Sequence, residues 1–357
     1  FLCREEQHLT ILSPILPRPD GAVENADRIL STMGSGISEN TRRVYGNALR
    51  MVERYYAEHG WSLYPEVEGG HLDEERFVAQ VLSYLQSLID AGRTSSTLTM
   101  HLSAIKYRAG FENQRALGTL STKPVVAFME GSSRSTARTH TPKQAQALSI
   151  QQIRVIYRTL DLHTPRGRRD HALIALGLAT ALRSQSLADL TLSDISPAVT
   201  IDGIAVRIRF SKTDQKGKGV TIPVARSSKK KLDPVAALQS WIDTLAAYGF
   251  TRETHPEMPL FPAMRGDRGI QTTPMQQPNV TITTILRKGL IDADACTPDE
   301  AMGFSSHSLR ASFITLSNIA GVPERDIAAI TGHKSMTVLR AYDRTSVERS
   351  AQTAYLG

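Results

Sequence analysis

Six side chains of this sequence have the chemistry needed to move a phosphoryl group: Arg183, Lys212, His307, Arg310, His333 and Tyr342, in that order. Three compact segments carry four of them: Ser306-His307-Ser308-Leu309-Arg310, Thr331-Gly332-His333-Lys334 and Arg340-Ala341-Tyr342-Asp343-Arg344. Arg183 lies upstream in Thr180-Ala181-Leu182-Arg183-Ser184. Two guanidinium forks suit bidentate contact with the non-bridging oxygens of one phosphodiester, where they would neutralise charge that grows in the transition state. The histidines add hydrogen bonds or relay a proton. Tyr342 supplies a nucleophile, but a phenol has an unperturbed pKa of about 10, so its attack needs cationic neighbours and a base. Arg183, Arg310 and His307 meet that need. Lys212, in Phe210-Ser211-Lys212-Thr213-Asp214, is the general acid for a leaving 5′ oxygen. No carboxylate cluster or His/Cys ligand set stands out, so neither a metal nor another cofactor is expected.

Each residue also has a structural reading. Arg183 suits an ion pair, His307 and His333 suit satisfied core positions, Lys212 has loop neighbours in Lys216 and Lys218, and Tyr355 competes with Tyr342. The joint pattern decides between them: HxxR, then GHK, then Tyr with Arg two residues later, preceded by an arginine and a lysine-bearing hairpin.

The chain that must position these groups has 357 residues, 22% charged and 41% hydrophobic, enough for two domains with cores of their own. Its formal charge of +7 favours an anionic partner, with nucleic acid first. Cys3 and Cys296 are too few for a disulfide framework and fit a reducing interior. No apolar run approaches the roughly 20 residues of a membrane helix, so no membrane partner is expected.

Residues 1–36, with Pro14, Pro17, Pro19 and Gly21, read as an arm. Ser38 caps a helix over 41–59. Further helices are expected over 74–91, over 95–109 with Gly110 as stop, and over 123–129. These form an α-helical bundle spanning 37–130. Residues 131–147, with Arg134, Arg138 and Lys143, read as a basic interdomain linker, either a solvated tether or a segment crossing phosphates. The remainder, 148–357, begins with a cap at Ser149. An apolar run over 169–182 ends at Arg183, and a β-hairpin with strands around 204–210 and 220–224 carries Lys212 in its loop. Leu309, Phe313, Leu316 and Ala320 share one helix face, Gly321 stops it and Pro323 opens the next. The fold class is mainly α with a small β-sheet.

The ordered set Arg183, Lys212, His307, Arg310, His333 and Tyr342 resembles that of the tyrosine site-specific recombinases, the family of phage integrases, Xer and Cre. The amino-terminal half is similar to a Cre-like, SAM-like core-binding domain: Ser38 to Tyr45 looks like its first DNA-facing helix and Thr94 to Ala109 like the helix entering the major groove. The resemblance implies an α+β catalytic domain, a C-shaped clamp on duplex DNA with inverted half-sites, a homotetramer on DNA, a 3′-phosphotyrosyl intermediate and a Holliday junction. It also implies a cytoplasmic, nucleoid-associated protein of a mobile genetic element. Arg42, Arg43, Thr97, His101, Lys106 and Lys143 are the candidate DNA-contacting residues. One departure is Ser186, where the family often has an acid three positions after the first arginine; Asp189 is the candidate to replace it. The tail with Val347, Ala351 and Leu356 reads either as a short helix that docks on a neighbouring protomer or as a frayed terminus. The alternatives are a non-catalytic architectural DNA-binding protein, a type IB topoisomerase and a telomere resolvase.

Overall fold

A computed structural model describes residues 37–139, 144–209 and 219–333. The chain divides into two compact units, Phe1–Pro142 and Lys143–Gly357. Among the described residues it is mainly helical with two small sheets. The expected arm at 1–36 and the tail after Tyr342 lie outside the described residues.

In the first unit α1 spans Glu39–Glu58 and opens where Ser38 accepts a hydrogen bond from the Thr41 backbone N–H at 3.1 Å. Asp73 does the same for α2, Glu74–Asp90, whose first turn also carries Glu74 and Glu75 against the positive helix end. The left-handed Gly92 (φ 71°) follows α2. Next come α3 (Ser95–Glu112), α4 (Gln114–Thr119) and α5 (Lys123–Thr139). Phe77, Val81, Tyr84 and Leu85 of α2 and Leu98, Leu102 and Ile105 of α3 form the core.

Two boundaries differ from expectation. Gly110 does not stop α3, which runs to Glu112. The last turn is held instead by Glu112, which accepts from Tyr64 at 2.9 Å and pairs with Arg108 at 2.8 Å, and the chain turns at extended Asn113. Likewise α5 does not end near Met129 but continues to Thr139, so the first part of the presumed linker is helix. Its apolar residues run out before the helix does, and an i,i+4 pair of Glu130 and Arg134 at 3.2 Å lies on the polar extension. The far end of that stretch belongs to the second unit. There Gln146 N–H donates to Gly303 O at 3.0 Å, and Leu148 N–H donates to Ser312 Oγ at 2.7 Å.

The second unit starts with α6, Ile150–Thr159, closed by a capping box between Ser149 and Gln152. Its central helix, α7, spans Pro165–Thr180 and begins before the apolar run, at Pro165 behind the cap Thr164. A short α8 (Ser184–Ala188) follows. The first sheet has order β1-β2-β3, all antiparallel, with β1 Ile195–Pro197, β2 Gly203–Ile208 and β3 Val220–Ala225. Val206 faces Ile222 and Ile208 faces Val220, which confirms the hairpin pairing. Then come α9 (Pro234–Ala247) and a second hairpin, β4 (Pro262–Arg265) with β5 (Gly269–Pro274), which was not anticipated. The chain ends, among described residues, with α10 (Pro278–Asp292), α11 (Pro298–Ala301), α12 (His307–Ile319) and α13 (Glu324–Thr331).

Helix α7 is the buried axis of this unit. Leu173, Ile174 and Leu176 are fully buried beside Trp241 of α9, whose indole N–H donates to Leu260 O at 2.7 Å. Leu309 of α12 meets α7 at Gly177. A Cβ on Gly177 would stand 2.7 Å from Leu309 Cδ1 and 3.2 Å from Leu187 Cδ1. This close approach presses the helix of Arg310 against the helix that leads to Arg183. Gly177→Ala is therefore expected to cost about 1–3 kcal/mol through overpacking, seen as a lower calorimetric midpoint for the second unit; an unchanged midpoint would show that Leu309 yields freely.

Candidate active site

Helix α7 ends in an unusual turn. Ala181, fully buried, sits in the left-handed region at φ 52° and ψ 23°, a conformation costing an L-residue roughly 1–2 kcal/mol. The turn aims the Ala181 carbonyl at α12 and sends the chain through Leu182 to Arg183, which lies half-buried at the start of α8. The turn therefore positions one guanidinium and supplies an anchor for the other.

That second guanidinium belongs to Arg310, only 5% exposed. Its Nη1 donates to Ala181 O at 2.9 Å and its Nη2 to Thr331 O at 2.6 Å. Both acceptors are at helix C-termini, of α7 and α13, where the dipoles present partial negative charge. The carbonyls stabilise the cation without cancelling its charge.

After Thr331 the left-handed Gly332 (φ 67°) caps α13 and turns the chain back, so that His333 lies over Arg310. Arg310 Nη2 is 3.3 Å from His333 Nε2, and His333 Nδ1 is 2.7 Å from Thr331 Oγ1. Burial, then the charges of Arg310 and Arg183, push the His333 pKa down to about 4. The imidazole is neutral at pH 7.

Arg183, Ser186 and Arg310 line a small cavity of about 80 Å³ together with Thr331, Ile208 and Val220. Its wall thus includes the last residue of β2 and the first of β3, the two ends of the connection that carries Lys212. Lys212 and Tyr342 themselves lie outside the described residues. His307 is exposed at the first position of α12, three residues before Arg310 and hence near the same helix face. So the structure brings together Arg183, Arg310 and His333 from three separate segments and places His307 one turn from Arg310.

Asp189 does not support Arg183. Its carboxylate, at the end of α8, accepts from Gln185 Nε2 of the same helix at 2.8 Å. A carboxylate that sequence reasoning missed is Asp194, 2% exposed, which pairs with Arg209 at 2.8 Å and Arg207 at 3.3 Å. Desolvation pushes its pKa up, but hydrogen bonds from Thr191 N–H and Arg209 more than offset this and hold it below the usual range. Arg209 also donates to Thr191 and Ser193, which ties the end of β2 in place. The signal was Thr191-x-x-Asp194, a capping-box spacing.

In the first unit the candidate DNA contacts separate. Arg43 is exposed and donates to Asn40 at 3.0 Å; Arg42 is half-buried and donates to Ile37 O at 3.5 Å. On α3, Thr97 is 3.2 Å from Thr94 Oγ1, and Lys106 Nζ reaches Ser121 Oγ at 3.5 Å. His101 is a correction. It is 3% exposed, with its Nδ1 2.8 Å from the Tyr84 hydroxyl, because positions 98, 101 and 105 share the core face of α3. Burial, then Arg93, lowers its pKa. Lys143 lies outside the described residues. Among the described residues there is no group of three or more potential metal ligands, and no helix long and apolar enough to cross a membrane.

Residues 146–349 match the model of the phage integrase family. Among proteins, the chain is 27% identical over 176 residues to an integrase/recombinase xerD homolog of Selenomonas ruminantium, covering 49% of this chain and 47% of that protein. It is 24% identical over 204 residues to tyrosine recombinase XerC 2 of Ralstonia nicotianae, covering 56% and 50%. The alignments thus span about half the length of these relatives. Among solved structures, the XerH site-specific recombinase bound to palindromic difH substrate superposes with a TM-score of 0.58 at 13% identity, covering 100% of this chain and 90% of that one. A lambda integrase dimer bound to a COC′ core site gives 0.53 at 16%, covering 98% and 81%. At these identities the likeness is one of fold.

The depressed His333 pKa sets a pH dependence. The unfolded chain binds a proton at this residue below the ordinary value of 6.5, whereas the folded protein resists until about 4. The contribution of His333 to stability is therefore complete above pH 6.5 and is lost as pH falls toward 4. Urea midpoints of the wild type and His333→Asn should converge as pH falls through this window; a constant gap would contradict the shift.

Proposed function

The chain belongs to the phage integrase family, and on that premise we propose that it is a site-specific DNA recombinase that breaks and rejoins duplex DNA through a 3′-phosphotyrosyl link. The observation that supports this reading best is that Arg183 and Arg310 line one cavity while His333 lies against Arg310 at 3.3 Å. A metal-independent phosphoryl transfer needs preorganised cations of this kind.

In the proposed reaction the two guanidiniums hold the non-bridging oxygens of the scissile phosphate. The phenolic oxygen of Tyr342 attacks phosphorus as its proton passes to His307, and the P–O5′ bond breaks. The leaving 5′ oxygen takes a proton from the Lys212 ammonium. A phosphodiester is exchanged for a phosphotyrosine, so no ATP is consumed. The reverse step joins a 5′ hydroxyl from a second duplex. Four protomers on two sites with inverted half-sites would exchange strands in turn through a Holliday junction, with residues 37–130 as the core-binding part and Arg42, Arg43, Thr97 and Lys106 contacting DNA, chiefly at phosphates. The protein would then act on the cytoplasmic nucleoid.

The test is covalent capture. Wild-type protein incubated with its target DNA in EDTA, without ATP, and quenched in SDS should give an adduct that maps to Tyr342 at a 3′ end. Tyr342→Phe should bind the same DNA with unchanged affinity and form none. An adduct that survives the substitution would overturn the nucleophile, and binding of the wild type without any adduct would favour an architectural protein.

A further inference from the structure

Thr331 has a hydroxyl whose single proton is already committed. It donates to Ile327 O, one turn back along α13, at 2.7 Å. Toward His333 Nδ1, 2.7 Å away, the same oxygen can act only as an acceptor. The proton of the neutral ring must therefore sit on Nδ1. Arg310 Nη2 donates to Thr331 O at 2.6 Å and lies 3.3 Å from His333 Nε2 and 3.5 Å from His333 Nδ1, so the choice between the two ring nitrogens falls to the Thr331 hydroxyl. Thr331 is 4% exposed, so water does not substitute readily for its hydroxyl.

We infer that Thr331 is a positioning residue: it accepts the Nδ1 proton of His333 and so fixes the ring with an unprotonated Nε2 turned toward the arginine pair. The main chain and the side chain of one residue thus organise both partners, since Thr331 O holds Arg310 while Thr331 Oγ1 holds His333. A backbone carbonyl could anchor Arg310 whatever the residue type; only a hydroxyl sets the tautomer. In this state Nε2 is an acceptor, and a phosphate oxygen gains a donor there only after the ring takes up a proton.

The tautomer stands on geometry alone, while its consequence for strand cleavage rests on the function proposed above, and the test keeps the two apart. Protein labelled with ¹⁵N at histidine is examined by NMR without DNA at pH 7, with the His333 signals identified by their loss in His333→Gln. The wild type should show a protonated Nδ1 and an unprotonated Nε2. Thr331→Ser should keep that pattern, whereas Thr331→Val should shift the ring toward the Nε2–H form that free imidazole side chains prefer. In the adduct assay, at unchanged DNA affinity, Thr331→Val should cleave no more slowly than the wild type at pH 7, because its Nε2–H already offers a phosphate oxygen a donor, and Thr331→Ser should match the wild type. A wild-type ring protonated on Nε2 would overturn the inference. So would an unchanged tautomer in Thr331→Val, or slower cleavage by both the Val and Ser variants, which would mark a packing role. Absence of any adduct from the wild type would count against the proposed function and leave the NMR result to decide on Thr331.

Discussion

The second unit is organised around a buried cation. Taking a guanidinium out of water is costly unless every donor finds a partner. Arg310 finds two such partners at helix C-termini, those of α7 and α13, whose carbonyls accept from its two terminal nitrogens. The arrangement requires that both helices end within reach of one side chain on α12. It explains why Ala181 tolerates a left-handed conformation and why Gly332 must turn the chain directly after Thr331. It also leaves the charge of Arg310 available for an anion, because dipoles solvate a charge that a carboxylate would have cancelled.

The rest of the site follows from that constraint. The left-handed turn that presents the Ala181 carbonyl also delivers Arg183, and the glycine that releases the Thr331 carbonyl delivers His333. Three functional groups from distant segments are thereby fixed by the backbone geometry of two helix ends. The tight contact of α7 and α12 at Gly177 sets the spacing. The clamp of Arg209 on Asp194 fixes the exit of β2 beside the same cavity.

Much of this was legible in the residues and their order. Capping chemistry is local, so Ser38 and Ser149 open helices where their spacing said they would. Alternation of Val206 and Ile208 against Ile222 and Val220 marked the hairpin. The triplet spacing of His307 and Arg310 put them on one helix turn. Other features depend on tertiary context. His101 sits on the core face because Tyr84 from another helix supplies its hydrogen bond, which polarity alone hid. Helix α5 outruns its apolar pattern, since periodicity reports burial and not helicity. A positive φ at an alanine carries no signature in composition, so the anchor of Arg310 at Ala181 could not be foreseen, nor could the hydroxyl of Thr331 be told from an ordinary helical threonine.

In the proposed function, uncancelled guanidinium charge set in place by helix ends meets the charge of a phosphate. The most direct measurement compares single-turnover cleavage by wild type and Arg183→Ala on two substrates, one with an ordinary scissile phosphate and one with a neutral methylphosphonate at that position. Loss of the arginine should slow the first by about a hundredfold or more, the scale of removing one preorganised donor, and much of the loss should vanish on the neutral substrate. An equal loss on both would contradict charge neutralisation as the reason for the site.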